Sequence, residues 1–118
     1  MTHNDPVLSD LSKERSGIRK RESSYDRTGG NTDSILIDVK EKRTLLEVSE
    51  SGTIQHLWMT CANDNFTFEK GYLRKIVIRM FWDDETVPSV EVPIGDFFGM
   101  GHGMHRNFIS APLQMSPE

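Results

Sequence analysis

Residues 23–33, Ser23-Ser24-Tyr25-Asp26-Arg27-Thr28-Gly29-Gly30-Asn31-Thr32-Asp33, gather carboxylates, an amide, a guanidinium and a phenol with no hydrophobic period between them. Each of these groups hydrogen-bonds in fixed directions. A sugar, whose hydroxyls also sit in fixed positions, is recognised by such Asp, Asn, Arg and Tyr groups on a stiff loop. The Gly29-Gly30 pair allows positive φ or a close approach of the backbone to another group. The same composition also describes an ordinary polar connection between two elements, so the stretch reads either as a sugar-facing loop or as a linker.

Asp96 is the second place where chemistry is written into the chain. It lies between an apolar strand and Phe97-Phe98, flanked by Gly95 and Gly99. A carboxylate there costs several kcal/mol unless it is paired or hydrogen-bonded. Either backbone N–H groups satisfy it in a turn, or it faces a ligand. The other reactive residues point less far. His102 and His105 stand three apart in a glycine-rich loop, but a catalytic zinc needs a third ligand and an orienting second shell. The run Gly99-Met100-Gly101-His102-Gly103 has the glycine count of a phosphate cradle without its lysine or following helix. Cys61 has no evident base partner and reads as structural. Asp83, Asp84 and Glu85 suit a hairpin turn, where acids bond the local backbone. Spacing singles out no catalytic pair among Asp26, Asp33, Asp83, Glu91 and Asp96. No metal and no cofactor is implied.

The elements that must position these residues are mostly strands. Leu8, Leu11, Arg15 and Ile18 stand near helical spacing and predict a short helix from Ser9 to about Arg19, weakened by Gly17. Beyond it the apolar period drops to two. Ile35, Ile37 and Val39 predict a first strand and Thr44–Val48 a second. Thr53–Thr60 predicts a third, with Ile54, His56, Trp58 and Thr60 on one face. The fourth runs from Leu73 to Trp82, with Ile76, Ile78, Met80 and Trp82 together. The fifth runs from Val87 to Ile94, with Val90, Val92 and Ile94 together. Pro88 and Pro93 confine this last strand to an edge or to its own ends. Trp58 and Trp82 both fall on the apolar phase, which predicts that neither is an exposed platform. The run Phe108–Met115 has no strand after it to pair with, an aggregation liability. The chain therefore reads as the front part of something longer, with Val77, Phe81, Leu57 and Met59 left uncovered and the isolated chain oligomeric, insoluble or partly molten.

A chain of 118 residues is one domain at most. Its formal charge of −4 gives no general attraction to nucleic acid or anionic membrane. The basic residues from Lys13 to Arg27 are nearly balanced by acids, which predicts a solvated face. One cysteine excludes an intrachain disulfide and suits a reducing compartment. Neither a membrane span nor a secretory leader is visible, so the expected location is the cytoplasm.

Three phrases taken together, SSYDRTGGNTD at 23–33, SGTIQHLWMT at 51–60 and IRMFWDDETVPSVEVPIGDFFG at 78–99, resemble a single family. It is the former domain of unknown function now grouped as glycoside hydrolase family 172. The resemblance implies an all-β, antiparallel jelly-roll sandwich, here partial: an N-terminal arm with its short helix over 1–22, then the N-terminal part of the β domain over 23–118. It also implies a homotrimer, or a multiple of one, with active sites near subunit interfaces. The implied substrates are furanosides: α-D-fructofuranosides, difructose dianhydrides or D-arabinofuranosides, cleaved with retention through two glutamates. Those glutamates are expected beyond residue 118, because Glu85 and Glu91 in the matched phrases, and Glu50 and Glu69 beside or between them, read as turn or solvent-face residues. No catalytic residue is assigned, and the chain alone is expected to be inactive. Asp26, Arg27, Asn31 and Asp33 match the polar motif, Trp58 the I-x-x-x-W phrase and Asp96 the G-D-F-F phrase; these six are the substrate-binding candidates. The alternative is a non-catalytic carbohydrate-binding or oligomerisation module on the same sandwich.

Overall fold

In a computed structural model the described residues are 13–14, 16–63, 70–104 and 106–116. They fall into two units, Met1–Thr53 and Ile54–Glu118. All three buried hydrophobics, Leu73, Ile94 and Met100, belong to the second.

The second unit is organised by a hairpin. Strand β1, Val77–Met80, pairs antiparallel with β2, Val90–Pro93, matching Ile78 with Val92 and Met80 with Val90. These four are half-buried, whereas Val77, Arg79 and Glu91 on the other face are exposed. The period-2 pattern therefore set the phase of this pair. The hairpin reverses through Asp83 and Asp84, both left-handed at φ 49° and 60°, with the Glu85 amide donating to the Trp82 carbonyl at 3.0 Å. Two successive positive-φ residues make a type I′ turn, whose twist suits a hairpin.

One-turn helices flank the hairpin. Helix α1, Tyr72–Lys75, starts after Gly71 and ends where Ile76 extends into β1. The expected strand from Leu73 is thus corrected: its first residues coil, because Gly71 at φ 78° feeds a turn closed by Arg74 N–H to Gly71 C=O and Ile76 N–H to Tyr72 C=O. Helix α2, Ile94–Phe97, follows Pro93, and the Ile94 amide still bonds the Ile76 carbonyl at 2.8 Å. α2 ends at Gly99, φ 87°, the left-handed position that favours glycine past a helix. α1 and α2 meet at Gly95, where an added Cβ would stand 2.8 Å from the Leu73 Cβ.

Against Leu73, Ile94 and Met100 pack Met59, Cys61, Tyr72, Phe98, Phe108 and Met115. Residues 54–63 form no helix and no paired strand. Their alternation survives in the opposite phase: Leu57, Met59 and Cys61 are half-buried, while Ile54, His56, Trp58 and Thr60 are exposed. Leu57 and Met59 are thus partly covered rather than bare, and Val77 and Phe81 remain exposed as expected. Phe108 is not left without a partner either. Strand β3, Phe108–Ile109, pairs with β4, Gln114–Met115, and Ser110 closes the turn on Leu113 by its amide and hydroxyl. The run from 108 to 115 supplies both strands of its own hairpin.

The first unit carries none of its predicted strands as paired elements. Residues 32–38 and 41–49 carry no regular secondary structure on either side of a turn at Val39-Lys40, with Lys40 at φ 66°. The turn is tied by Glu41 N–H to Asp38 C=O and Asp38 N–H to the Glu41 carboxylate, at 2.9 and 2.8 Å. Both phases of the alternation, Ile35, Ile37 and Val39 as well as Leu36, face solvent. An alternating segment becomes a strand only when one face has something to cover it and one edge has a ladder to join. Most of the predicted N-terminal helix lies outside the described residues. Its described part, residues 13–14 and 16–19, has no helix, and Gly17 stands at φ 118°. The molecule is thus built of short antiparallel pairs with little helix, in keeping with an all-β chain.

Candidate functional site

The loop at 23–33 is organised by Asp26. Its Oδ1 accepts from both the amide and the hydroxyl of Thr28, at 2.9 and 2.7 Å. Its Oδ2 accepts from the Thr32 amide at 3.2 Å. The Asp26 amide donates to Asp33 Oδ1 at 2.7 Å, and its carbonyl accepts from Gly29 at 3.1 Å. The Ser24 hydroxyl donates to the Asp33 carbonyl at 2.7 Å, closing the loop at its base. Gly29 turns the backbone at φ 78°, which favours glycine, and a Cβ on Gly30 would stand 2.7 Å from Asp26 Oδ2 and force that carboxylate to shift. Asn31 is left-handed, φ 62°, a conformation asparagine tolerates better than most residues. The Thr28 hydroxyl first, then the amides of Thr28, Thr32 and Gly30, hold the Asp26 carboxyl below its ordinary value. A carboxylate so engaged is a poor proton donor.

Arg27 and Asn31 are used differently. The Arg27 guanidinium lies over the Tyr25 ring, 5.8 Å from its centroid, within cation–π range. Both side chains are exposed, and neither makes a side-chain hydrogen bond or ion pair among the described residues.

The remaining candidates belong to the second unit. Asp96 is engaged by Arg74, whose Nη1 donates to both carboxylate oxygens. Of its two readings the structural one describes this geometry, with a guanidinium in place of backbone amides. Trp58 is 76% exposed, a correction to its placement in the core. Trp82 is also exposed. The structure therefore brings Asp26, Arg27, Asn31 and Asp33 into one loop and pairs Asp96 with Arg74. The sequence reading passed over Thr28, Thr32 and Arg74. An Asp-x-Thr spacing is a legible signal for a side chain closing its own turn. Nothing local marks Arg74 as the partner of a residue 22 positions away.

Four of the glutamates are likewise occupied. Glu41 pairs with Arg43 at 2.9 Å, Glu50 with Lys20 at 3.2 Å, Glu91 with Arg79, and Glu85 accepts from the Ser89 hydroxyl. Glu69 and His105 lie outside the described residues. Burial pushes the Cys61 thiol up, away from nucleophilic use. Burial, then the neighbouring Cys61, raises Tyr72.

A family model described as GH172 domain-like matches residues 28–109, from the Thr28-Gly29-Gly30 turn to the end of β3. The chain belongs to this GH172 domain-like family. The match takes in Asn31, Asp33, Trp58 and Asp96 and begins immediately after Asp26-Arg27. Comparison of this GH172 domain-like chain with curated proteins and with solved structures gives no match.

Proposed function

We propose that this chain is the N-terminal, substrate-contacting portion of a glycoside hydrolase that acts on furanosides, and that it binds but does not cleave them alone. The observation that carries the reading is the Asp26 loop. Within a chain of a glycoside-hydrolase-related family, a stretch without apolar period is fixed by its own side chains and presents a guanidinium and an amide outward. Stiff, hydrogen-bonded loops that hold polar groups in place are a usual location for recognition. A retaining furanosidase needs two carboxyl groups about 5–5.5 Å apart, one to attack and one to protonate. Glu41, Glu50, Glu85, Glu91 and Asp96 are each tied to a basic or hydroxyl partner instead. The exposed apolar residues of the first unit, in both phases of its alternation, suit a jelly-roll sandwich completed by further strands. They also suit a trimer, or a multiple of one, in the assembled enzyme.

The test combines binding and turnover. Titration of residues 1–118 with methyl α-D-arabinofuranoside and with an α-linked fructofuranoside should shift the loop resonances. The nitrophenyl glycosides of the same sugars should release no nitrophenol. Measurable hydrolysis would overturn the non-cleaving part, and the absence of any shift would overturn the furanoside part.

The alternative module reading gains one specific observation. Trp58, at 76% exposure, is an available stacking surface of the kind carbohydrate-binding modules use. Quenching of tryptophan emission by the same sugars, lost in Trp58→Ala and retained in Arg27→Ala, would favour it.

A further inference from the structure

The six candidate residues are not equivalent, and their hydrogen bonds separate them. We infer that Asp26 is a positioning residue that does not touch the ligand, and that Arg27 and Asn31 make the contact, to oxygens and hydroxyls of the sugar. This rests on the furanoside reading above.

Acceptor capacity is the deciding quantity. Asp26 Oδ1 already takes two hydrogen bonds from Thr28, and Oδ2 takes one from Thr32 with the Gly30 amide also directed at the carboxylate. Asp33 Oδ1 takes the Asp26 amide. A sugar hydroxyl at Asp26 would have to displace an amide that has no other partner inside the turn. What the loop turns outward at its tip is a guanidinium and a carboxamide. Arg27 offers its guanidinium fork, held over Tyr25, and Asn31 offers a carboxamide, donor and acceptor together, from a left-handed backbone position. A planar fork of N–H groups matches two neighbouring oxygens, and the ring beneath it reduces the ordering needed on binding. The ligand atoms facing Arg27 are therefore a pair of adjacent hydroxyl or ring oxygens acting as acceptors.

Nitrogen-15 NMR of the full chain separates the parts. Asp26→Asn keeps one acceptor oxygen and turns the other into an NH2 group. It should preserve only one of the Thr28 and Thr32 hydrogen-bonded amide signals and weaken methyl α-D-arabinofuranoside binding about 10-fold. Arg27→Ala should leave both amide signals in place and abolish the sugar-induced shifts, with Arg27→Lys recovering them only in part. An unchanged Thr28–Thr32 pattern in Asp26→Asn would overturn the positioning role, whatever the sugar does. Weakened binding in Asp26→Asn with that pattern intact would place Asp26 on the ligand. Wild-type binding in Arg27→Ala would overturn the contact. A wild-type chain that shifts with no furanoside would overturn the sugar reading and the contact together, while the ligand-free amide pattern still decides the positioning role.

Discussion

Residues 23–33 and 71–100 each turn on an aspartate, and the two are held in opposite ways. Asp26 is held by hydrogen-bond partners no more than seven positions from it, and among the described residues of the first unit no apolar side chain is buried. Asp96 reaches 22 positions back to Arg74, across two one-turn helices whose contact is made by Leu73, Gly95, Ile94 and Met100. The first region owes its shape to directed hydrogen bonds, the second to apolar contact with a charge pair added at its rim. A site that must hold polar groups at fixed angles is served by the first arrangement. A scaffold that must resist unfolding is served by the second.

The largest effect expected from breaking this contrast is on the scaffold. Leu73 is the most buried side chain, at 4%, and Leu73→Ala should cost about 2–4 kcal/mol, read as a lower denaturation midpoint. The Thr28 and Thr32 amide signals should stay where they are, since their bonds are local. If they vanish as well, the two regions are not held independently. Gly95→Ala should follow at about 1–3 kcal/mol, because its Cβ would meet the Leu73 Cβ at 2.8 Å and the Leu73 carbonyl at 3.0 Å. A neutral result would mean that α1 and α2 can separate without loss.

Smaller effects sharpen the comparison. Arg74 and Asp96 are each well exposed in part, at 51% and 29%, so Asp96→Asn should cost only about 0.5 kcal/mol. A loss of several kcal/mol would make the charge pair, rather than apolar contact, the main tie between the helices. The smallest expected effect concerns pH. The Asp26 carboxyl titrates below its ordinary 3.8 in the folded loop. Its contribution is therefore fully present above 3.8 and is lost only as pH falls through the lower folded value. The Thr28 and Thr32 amide shifts should thus be constant from neutral pH to 4 and move below it. Movement already at pH 5 would contradict the donor set assigned to Asp26.

How much could be read from the residues depended on the range of the interaction. The β1–β2 pair was legible because Ile78 and Met80 alternate with Val77 and Arg79 and meet Val92 and Val90 in phase. Alternation also foresaw that residues 54–61 have two faces, but not which one is covered. That is decided by Leu73, Ile94 and Met100, far along the chain, which take Met59 and Cys61. The helical turn at Tyr72–Lys75 escaped notice because its apolar residues also fit a strand and only Gly71 marks the start. The polar motif was recognised as a unit, whereas the division of labour inside it needed the donors of Thr28 and Thr32. β4 was missed because Pro112 and Leu113 read as one run with β3, when Ser110 in fact reverses it.

The backbone of residues 42–49, outside any helix or ladder, has a consequence for how the chain is cut. A protease binds its substrate as an added strand, through main-chain groups that are not already in a ladder. Residues 42–49 offer such groups, with Lys42 exposed among them. Arg79 offers the same trypsin specificity from inside the β1–β2 ladder, with its guanidinium on Glu91. Brief trypsin digestion should therefore release a fragment beginning after Lys42 or Arg43 well before any cleavage at Arg79, leaving the hairpin and its apolar cluster as the resistant remainder.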